Sequence, residues 1–162
     1  DMFLFSFYTR GMSLIDMAYL KKSDLKNSVI IYRRRKTGQQ LSIKWEKCME
    51  EIIAKYNGCS TAQYLLPIIT NPCVNERTQY RNAISRINVA LKEVACLAGL
   101  NMPLTMHCAR HCWASIAKSK NIPLSVISEG MGHDSEETTR IYLASLDTNV
   151  VDRANSLILK DL

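Results

Sequence analysis

The amino-acid sequence predicts a mostly α-helical protein that contains one small antiparallel β-sheet. Apolar residues recur at helical spacing through most of the chain, whereas residues 28–44 are rich in β-branched residues on both sides of a tight turn. The chain has 162 residues, of which 47% are hydrophobic and 22% are charged. This length and composition are typical of one globular domain with a substantial core, and they exclude a disordered or collagen-like chain.

Two short helices are predicted at the start of the chain. Residues 2–9 are almost wholly apolar, which indicates a buried helix that stops at Arg10 and Gly11. Ser13 and Asp16 then form a capping-box pattern that begins a second helix, which ends at about residue 20.

The remainder of the chain after the β-branched stretch is predicted to be mostly helical, with a loop at residues 60–73. Apolar spacing and helix-end signals predict six helices, at residues 45–56, 75–98, 105–120, 123–130, 135–143 and 150–159. Gly130 and Gly132 are predicted to end the helix that starts at Pro123, and Asp134 or Ser135 to cap the next one. The long helix is predicted to bury one face, made of Ile84, Ile87, Leu91, Val94 and Ala98.

The positive charge of the chain is concentrated around a predicted hairpin, with strands at 28–34 and 40–44 and a turn at 36–39. The whole chain carries a net charge of +6. Residues 21–47 contain nine basic and two acidic residues, a net charge of +7, so the other residues together carry −1. One basic element on a nearly neutral chain indicates a polyanionic partner bound at one place, and a solvated charged surface is the alternative.

The sequence gives little support for a membrane, exported or metal-binding protein. No apolar run approaches the ~18 residues that a membrane span needs, and residues 2–7 lack the flanks of a signal peptide. The six cysteines are therefore predicted to be reduced thiols in a cytosolic compartment. Cys108 and Cys112 lie beside His107 and His111, but their spacing contains no paired C-x-x-C motif, so no metal site is predicted.

Five polar residues stand where a plain helical core would not place them. His107 and Arg110 are three residues apart and so share a helix face, while His133 follows a helix end and Tyr142 lies nine residues later. Lys36 stands at the predicted hairpin tip. Together they suit the transfer of a phosphodiester without metal, which needs a nucleophile, cations for the phosphate oxygens and a proton donor.

These residues resemble the catalytic domain of tyrosine recombinases, the phage integrase family, and the resemblance covers nearly the whole chain in the right order. The matching segments are His-Cys-Ala-Arg-His at 107–111, Trp-Ala-Ser at 113–115, Met-Gly-His at 131–133, Thr-Thr-Arg-Ile-Tyr at 138–142 and the lysine-bearing turn at 35–38. Residues 10–18 further resemble the branch found in conjugative transposons and invertible-promoter systems. The resemblance implies the tyrosine recombinase catalytic-domain fold.

The resemblance also implies a mechanism without metal, ATP or any cofactor. Tyr142 would attack the scissile phosphate to form a 3′-phosphotyrosyl link and free a 5′-hydroxyl. Arg110 and a second arginine would hold the non-bridging oxygens, and Lys36 would protonate the leaving 5′-oxygen. His107 and His133 would support the phosphate and proton transfer.

The first catalytic arginine of the family has no direct counterpart, because its position falls on Ser13 when Asp16 is aligned with the family's acidic residue. Arg10, one turn earlier, is the favoured substitute. Arg34 is the alternative, since it lies two residues before Lys36 and so on the same strand face. A third possibility is that neither arginine touches the phosphate and Arg10 pairs with Asp16, which otherwise either braces the site or caps its helix.

The partner implied by the family is a double-stranded DNA recombination site. The hairpin residues Arg33, Arg34, Arg35 and Lys36, together with Arg140, are predicted to contact DNA. Residues 151–159 are predicted to dock on a neighbouring protomer of a homotetramer, or alternatively on their own domain. Residues 1–162 are expected to be one catalytic domain of a longer chain whose N-terminal core-binding domain is missing. The location implied is the bacterial cytoplasm, on nucleoid DNA.

Other functions compete with the recombinase interpretation. Residues 122–142 are also compatible with a non-catalytic helix–turn–helix module, which would not need Arg110, Tyr142 and the lysine hairpin together. A type IB topoisomerase would share the nucleophile, and a structural zinc protein would use the Cys/His cluster. The sequence does not name the DNA site, nor does it separate integration, excision and inversion.

Overall fold

The computed structural model describes residues 1–58 and 63–145, and in this part of the chain seven α-helices accompany one three-stranded sheet. The predicted helix at 150–159 lies outside the described residues. The helices are α1 Met2–Tyr8, α2 Leu14–Ala18, α3 Lys47–Ala54, α4 Glu76–Leu97, α5 Met106–Ser119, α6 Leu124–Met131 and α7 Glu136–Ala144. The strands are β1 Leu25–Lys26, β2 Val29–Arg33 and β3 Gln40–Lys44.

The sheet is antiparallel, in the order β1-β2-β3, and the predicted hairpin forms its larger part. Strand β2 pairs with β3 from Val29 opposite Lys44 to Arg33 opposite Gln40, so that Ile30 faces the core. Strand β1 was not predicted, because its two residues are too short to show any alternation of apolar and polar side chains.

The core consists of two clusters of buried side chains. The larger cluster joins α1, α2, the sheet and α3, and contains Phe5, Met17 and Ile30. The smaller cluster joins α5, α6 and α7, where Ile127 and Leu143 are buried. Helix α5 also packs against α1, so it connects the two clusters and stands between the hairpin side and the α6–α7 side of the molecule.

Two details of the predicted helices are wrong. The predicted buried face of α4 holds only in part: Leu91 is buried, but Val94 is 49% exposed and Ala98 is also exposed. Ala95, the neighbour of Val94, is buried instead, so the buried face runs through Ala83, Leu91 and Ala95. Gly130 lies inside α6 rather than at its end, where the Trp113 ring lies against it and would contact any Cβ at 2.9 Å. None of the described helices is long and apolar enough to cross a membrane.

Candidate active site

A cavity of about 690 Å³ lies where the hairpin turn, the first turns of α5 and the α6–α7 junction meet. It gathers most of the polar residues that the sequence singled out. Its lining includes Ser13, Arg34, Lys36, His107, Arg110, His133, Asp134 and Tyr142. These residues come from four separate segments of the chain, so the fold itself assembles the cavity.

Arg110 is the fixed centre of this cavity. Its side chain is buried, with 8% of the residue exposed. Its Nη1 donates to the Gly11 carbonyl at 3.1 Å, and its Nη2 donates to the Met131 carbonyl at 2.7 Å and to His133 Nε2 at 3.0 Å. Among the described residues no carboxylate forms a close ion pair with Arg110, so its hydrogen bonds go to two carbonyls and an imidazole. Burial, with the nearby Arg34, lowers the pKa of this guanidinium.

Gly11 allows α5 to come this close to the α1–α2 connection. Its backbone has a φ of 77°, and a Cβ at this position would lie 2.6 Å from Arg110 Cβ and 2.7 Å from Arg110 Cα. A residue with a side chain would therefore meet the backbone of α5 in addition to being strained.

Arg34 reaches across the cavity to the end of α6. Its Nη1 donates to the Gly132 carbonyl, a contact between residues 98 positions apart. Gly132 ends α6 in the left-handed conformation, with a φ of 63°, and a Cβ there would lie 2.9 Å from Arg34 Cδ. The glycine thus both ends the helix and makes room for the arginine.

The hairpin turn that carries Lys36 is anchored by a buried carboxylate. Asp16 is 4% exposed, and its Oδ1 accepts the backbone N–H of Arg35 at 2.8 Å. Its Oδ2 accepts the Ser13 hydroxyl at 2.6 Å, while Ser13 Oγ accepts the Asp16 N–H and caps α2 as predicted. Asp16 therefore both belongs to a helix cap and braces the turn. Lys36 itself is exposed and lines the cavity.

The structure does not bring Arg10 to the cavity. Arg10 is absent from the lining, and its Cδ lies on the Gly130 side of α6, 3.6 Å from where a Cβ of that glycine would stand. Arg10 and Asp16 form no ion pair in the described part of the chain, since Asp16 is occupied by Ser13 and Arg35. Of the two candidate arginines, the cavity holds Arg34.

His133 is held on both sides of its ring. Because a guanidinium only donates, Arg110 Nη2 must donate to Nε2, and the proton of the neutral ring then lies on Nδ1. Nδ1 donates to the buried Thr139 hydroxyl at 2.8 Å. Burial and the Arg110 charge lower the pKa of His133 to about 4, so the ring is neutral at pH 7.

Tyr142 is half-buried beside His133, with 5.7 Å between the ring centroids, and its hydroxyl is 2.8 Å from His111 Nδ1. Burial raises the pKa of Tyr142 to about 12, despite the opposing charge of Arg110. The ring of His107 stands edge-on to that of His111, with 4.4 Å between centroids. Burial and His111 lower the pKa of His107.

The other predicted DNA-binding arginines lie outside the cavity. Arg33 is exposed, and its Nη1 donates to the Gly38 carbonyl at 3.2 Å. The Arg35 guanidinium lies 3.9 Å above the centre of the Tyr19 ring. Arg140 is exposed on α7, where its Nε lies 3.4 Å from a Glu137 oxygen.

The predicted Cys/His cluster does not form a metal-binding group. Within residues 1–58 and 63–145, no three His, Cys, Asp or Glu side chains are grouped so that they could hold a metal ion. The five cysteines in this part of the chain are free thiols. The chemistry of the cavity therefore rests on its arginines, lysine, imidazoles and phenol.

Comparison with known proteins decides the family. The model of the phage integrase family matches residues 2–149, which is most of the chain. The chain belongs to the phage integrase family. The segments that form the cavity all lie within the matched range, which agrees with the resemblance seen in the sequence.

One curated relative of the chain is a distant one. The tyrosine recombinase XerC of Syntrophus aciditrophicus (strain SB) is 23% identical over 143 residues, which are 85% of this chain and 46% of that protein. This chain thus spans about half the length of its curated relative.

Solved structures of phage integrases share the fold. The XerA recombinase superposes with a TM-score of 0.64 at 20% identity, covering 88% of this chain and 50% of that one. The XerH recombinase bound to a palindromic difH substrate superposes with a TM-score of 0.64 at 18% identity, covering 96% of this chain and 44% of that one. A lambda integrase dimer bound to a COC′ core site superposes with a TM-score of 0.61 at 17% identity, covering 88% of this chain and 50% of that one. The predicted fold class is confirmed.

Two residues that support the cavity are not predicted from the sequence. His111 does not line the cavity, but its ring contacts the Tyr142 hydroxyl, which joins residues 31 positions apart. Gly11 was interpreted only as a helix breaker, although it sets the approach of α5. The position of Gly11 between two predicted helices is the sequence feature that indicates a close approach. For His111, the corresponding feature is that it directly follows Arg110.

Proposed function

We propose that this chain is the catalytic unit of a site-specific recombinase that cleaves and rejoins double-stranded DNA through a 3′-phosphotyrosyl intermediate. The observation that carries the proposal is that one cavity contains a tyrosine hydroxyl, a buried arginine without a carboxylate partner among the described residues, and a lysine at a hairpin turn. Membership of the phage integrase family supports the same activity.

In the proposed reaction each group acts on one part of the phosphodiester. Tyr142 attacks phosphorus, and the guanidinium of Arg110 binds the non-bridging oxygens whose charge increases in the transition state. Lys36 gives a proton to the leaving 5′-oxygen, and His133 keeps the Arg110 fork in place through Nε2. His107, at the edge of the cavity, donates to a phosphate oxygen. The energy of the broken bond is kept in the tyrosyl ester, so neither ATP nor a metal is required.

We propose that Arg34, rather than the initially favoured Arg10, supplies the second guanidinium. Three observations support it: Arg34 lines the cavity, its charge acts on Arg110 and His133, and it is packed against Gly132. Asp16 acts indirectly, by holding the Arg35 N–H and so the turn between Arg34 and the lysine. Arg34→Ala is expected to lose at least ~100-fold in cleavage rate, and Arg10→Ala less than ~10-fold. The reverse order would assign the role to Arg10.

The assembly and wider setting are also part of the proposal. The DNA partner is supported by relatives described as bound to a COC′ core site and to difH, and by the +7 charge of residues 21–47. We propose a homotetramer on the recombination site in the bacterial cytoplasm. Membership of the conjugative-transposon and invertase branch is supported by the sequence of residues 10–18. A separate core-binding domain is supported by the relative's length, of which this chain covers 46%. Docking of residues 151–159 on a neighbour stays a prediction.

A covalent-capture experiment tests the proposal. The probe is a pool of nicked DNA duplexes with randomised sequence on both sides of the nick, so that cleavage releases a short oligonucleotide and traps the protein. The protein is expected to form an SDS-resistant adduct whose sequencing gives the cleavage site. Tyr142→Phe should form no adduct, while Tyr80→Phe, a substitution outside the cavity, should match the unmodified protein. An adduct that persists in Tyr142→Phe would refute the assigned nucleophile.

A further inference from the structure

The hydroxyl of Tyr142 already has a hydrogen-bond partner of its own. His111 Nδ1 lies 2.8 Å from it, and the two rings are nearly parallel, with 13° between their planes and 5.2 Å between their centroids. The contact is a product of tertiary structure, because His111 is on α5 and Tyr142 is on α7. No step described so far uses His111 or says where the phenol proton goes.

The basic groups that line the cavity are poorly placed to take that proton. His133 is excluded because Arg110 donates to its Nε2 and its Nδ1 donates to Thr139. The ring of His107 is centred 6.4 Å from the ring of Tyr142, and its nearest aromatic neighbour is His111 itself. A protonated lysine cannot accept a proton. His111 alone, among these residues, meets the hydroxyl within hydrogen-bond distance.

The surroundings of His111 keep its ring neutral, as an acceptor must be. The titratable groups that face it are His107 and Arg110 on its own helix and Tyr142 on α7. Burial, and the charge of Arg110, lower the pKa of His111 below its ordinary value near 6.5. The charge of Lys36, on the hairpin, contributes to the lowered pKa of His107 but not to that of His111.

We propose that His111 is the general base of the reaction, accepting the phenolic proton of Tyr142 on Nδ1 as the tyrosine oxygen bonds to phosphorus. This inference rests on the proposed function. The balance is complete: the O–H bond of Tyr142 breaks, the O–P bond forms, the P–O5′ bond breaks, and Lys36 protonates the 5′-oxygen. In the return step the imidazolium of His111 gives its proton back to the departing tyrosine oxygen while a DNA 5′-hydroxyl attacks.

The test isolates proton removal from proton donation. The probe is the nicked duplex whose cleavage site the capture experiment has sequenced, made with a 5′-bridging phosphorothiolate at that scissile bond. Its sulfur leaves without needing a proton. Adduct formation is measured in single turnover from pH 5.5 to 9 for the full chain and for His111→Asn. Asparagine keeps a hydrogen-bond acceptor near the place of Nδ1 but cannot take up a proton. Cys112→Ser, an exposed neighbour on α5, is the matched control.

The expected results differ in both rate and pH profile. The unmodified protein should reach a constant rate above about pH 7, and Cys112→Ser should behave in the same way. His111→Asn should lose about 100-fold at pH 7. Its rate should then rise about tenfold per pH unit, because attack depends on the tyrosinate of a phenol whose pKa is about 12. In His111→Ala, added imidazole should restore part of the rate.

Specific outcomes would overturn the proposal. If His111→Asn keeps the flat profile of the unmodified protein, whatever its absolute rate, His111 only positions the tyrosine or does nothing. Absence of imidazole rescue in a folded His111→Ala protein, judged by its thermal unfolding, would point the same way. If the unmodified protein forms no adduct, or if Tyr142→Phe forms one, the proposed function fails and this inference fails with it.

Discussion

The Gly11→Ala substitution should damage both stability and activity, because of one short approach between the α1–α2 connection and α5. An added Cβ would stand 2.6 Å from Arg110 Cβ and 2.7 Å from Arg110 Cα, where ordinary contact distance is about 3.4 Å or more. Helix α5 must therefore move away by about 0.8 Å. The change also places a Cβ at a φ of 77° and stretches the Arg110 hydrogen bond to the Gly11 carbonyl.

The expected loss follows from these parts. Backbone strain at a positive φ contributes about 1–2 kcal/mol, and the weakened hydrogen bond to a buried charge about 1.5–3 kcal/mol. The free energy of unfolding should therefore fall by about 3–5 kcal/mol, which lowers the Tm by roughly 6–20 °C for a chain of this size. A shift of about 1 Å in a phosphate-binding group should also reduce the cleavage rate by about 100-fold.

The loss of stability is measured by thermal unfolding, monitored by circular dichroism. The loss of activity is measured by adduct formation on the nicked pool. Gly99→Ala is the matched control, since Gly99 has a φ of 64° but no atom within 4 Å of its would-be Cβ. This control carries the backbone strain without the overlap, so it should lose about 1–2 kcal/mol and keep its activity. If Gly11→Ala and Gly99→Ala lose the same stability, the close approach to Arg110 is not what requires glycine.

Two further substitutions test the supports of the cavity. Asp16→Ala leaves the Arg35 N–H without its acceptor and should lower the free energy of unfolding by about 1–3 kcal/mol, together with the cleavage rate. Ser13→Ala keeps that bond and should lose only about 1 kcal/mol in urea unfolding, so equal losses in both would contradict the bracing role. Protonation of His133 must break its bond from Arg110, and its folded pKa is about 4 against 6.5 for the free group. The contribution of neutral His133 to the free energy of unfolding is therefore fully present above pH 6.5 and is lost as the pH falls towards 4. His133→Asn removes this contribution, so its unfolding free energy should fall less between pH 7 and 5 than that of the unmodified protein.

Local sequence signals predicted most of the fold. The hairpin follows from β-branched residues around a turn, and the start of α2 follows from the Ser13 cap, which forms as expected. These features depend on residues within a few positions of one another. The short strand β1 and the burial of Ala95 in place of Val94 on α4 are not predicted, because they depend on which other elements lie nearby. Hydrophobic spacing carries no information about that.

The arginine question shows where such reasoning reaches its limit. Counting along the chain favoured Arg10, because it is one helical turn from the family's position. The structure places Arg34 in the cavity instead, through its contact with the Gly132 carbonyl 98 residues away. The prediction that Arg34 and Lys36 share a strand face does not hold, because β2 ends at Arg33, yet both side chains line the same cavity.

The end of β2 and the turn that follows divide the basic segment that the sequence treats as one patch. Arg34 and Lys36 line the cavity, where no carboxylate among the described residues pairs with either of them. Arg33 is instead hydrogen-bonded to the carbonyl of its own turn, and Arg35 is stacked on Tyr19. Two of these charges thus line the cavity, whereas the other two lie outside it. A polyanion such as DNA satisfies both sets at once, whereas a small phosphate ester would reach only the first. The concentration of charge in residues 21–47 is therefore better explained by an extended substrate than by a solvated surface.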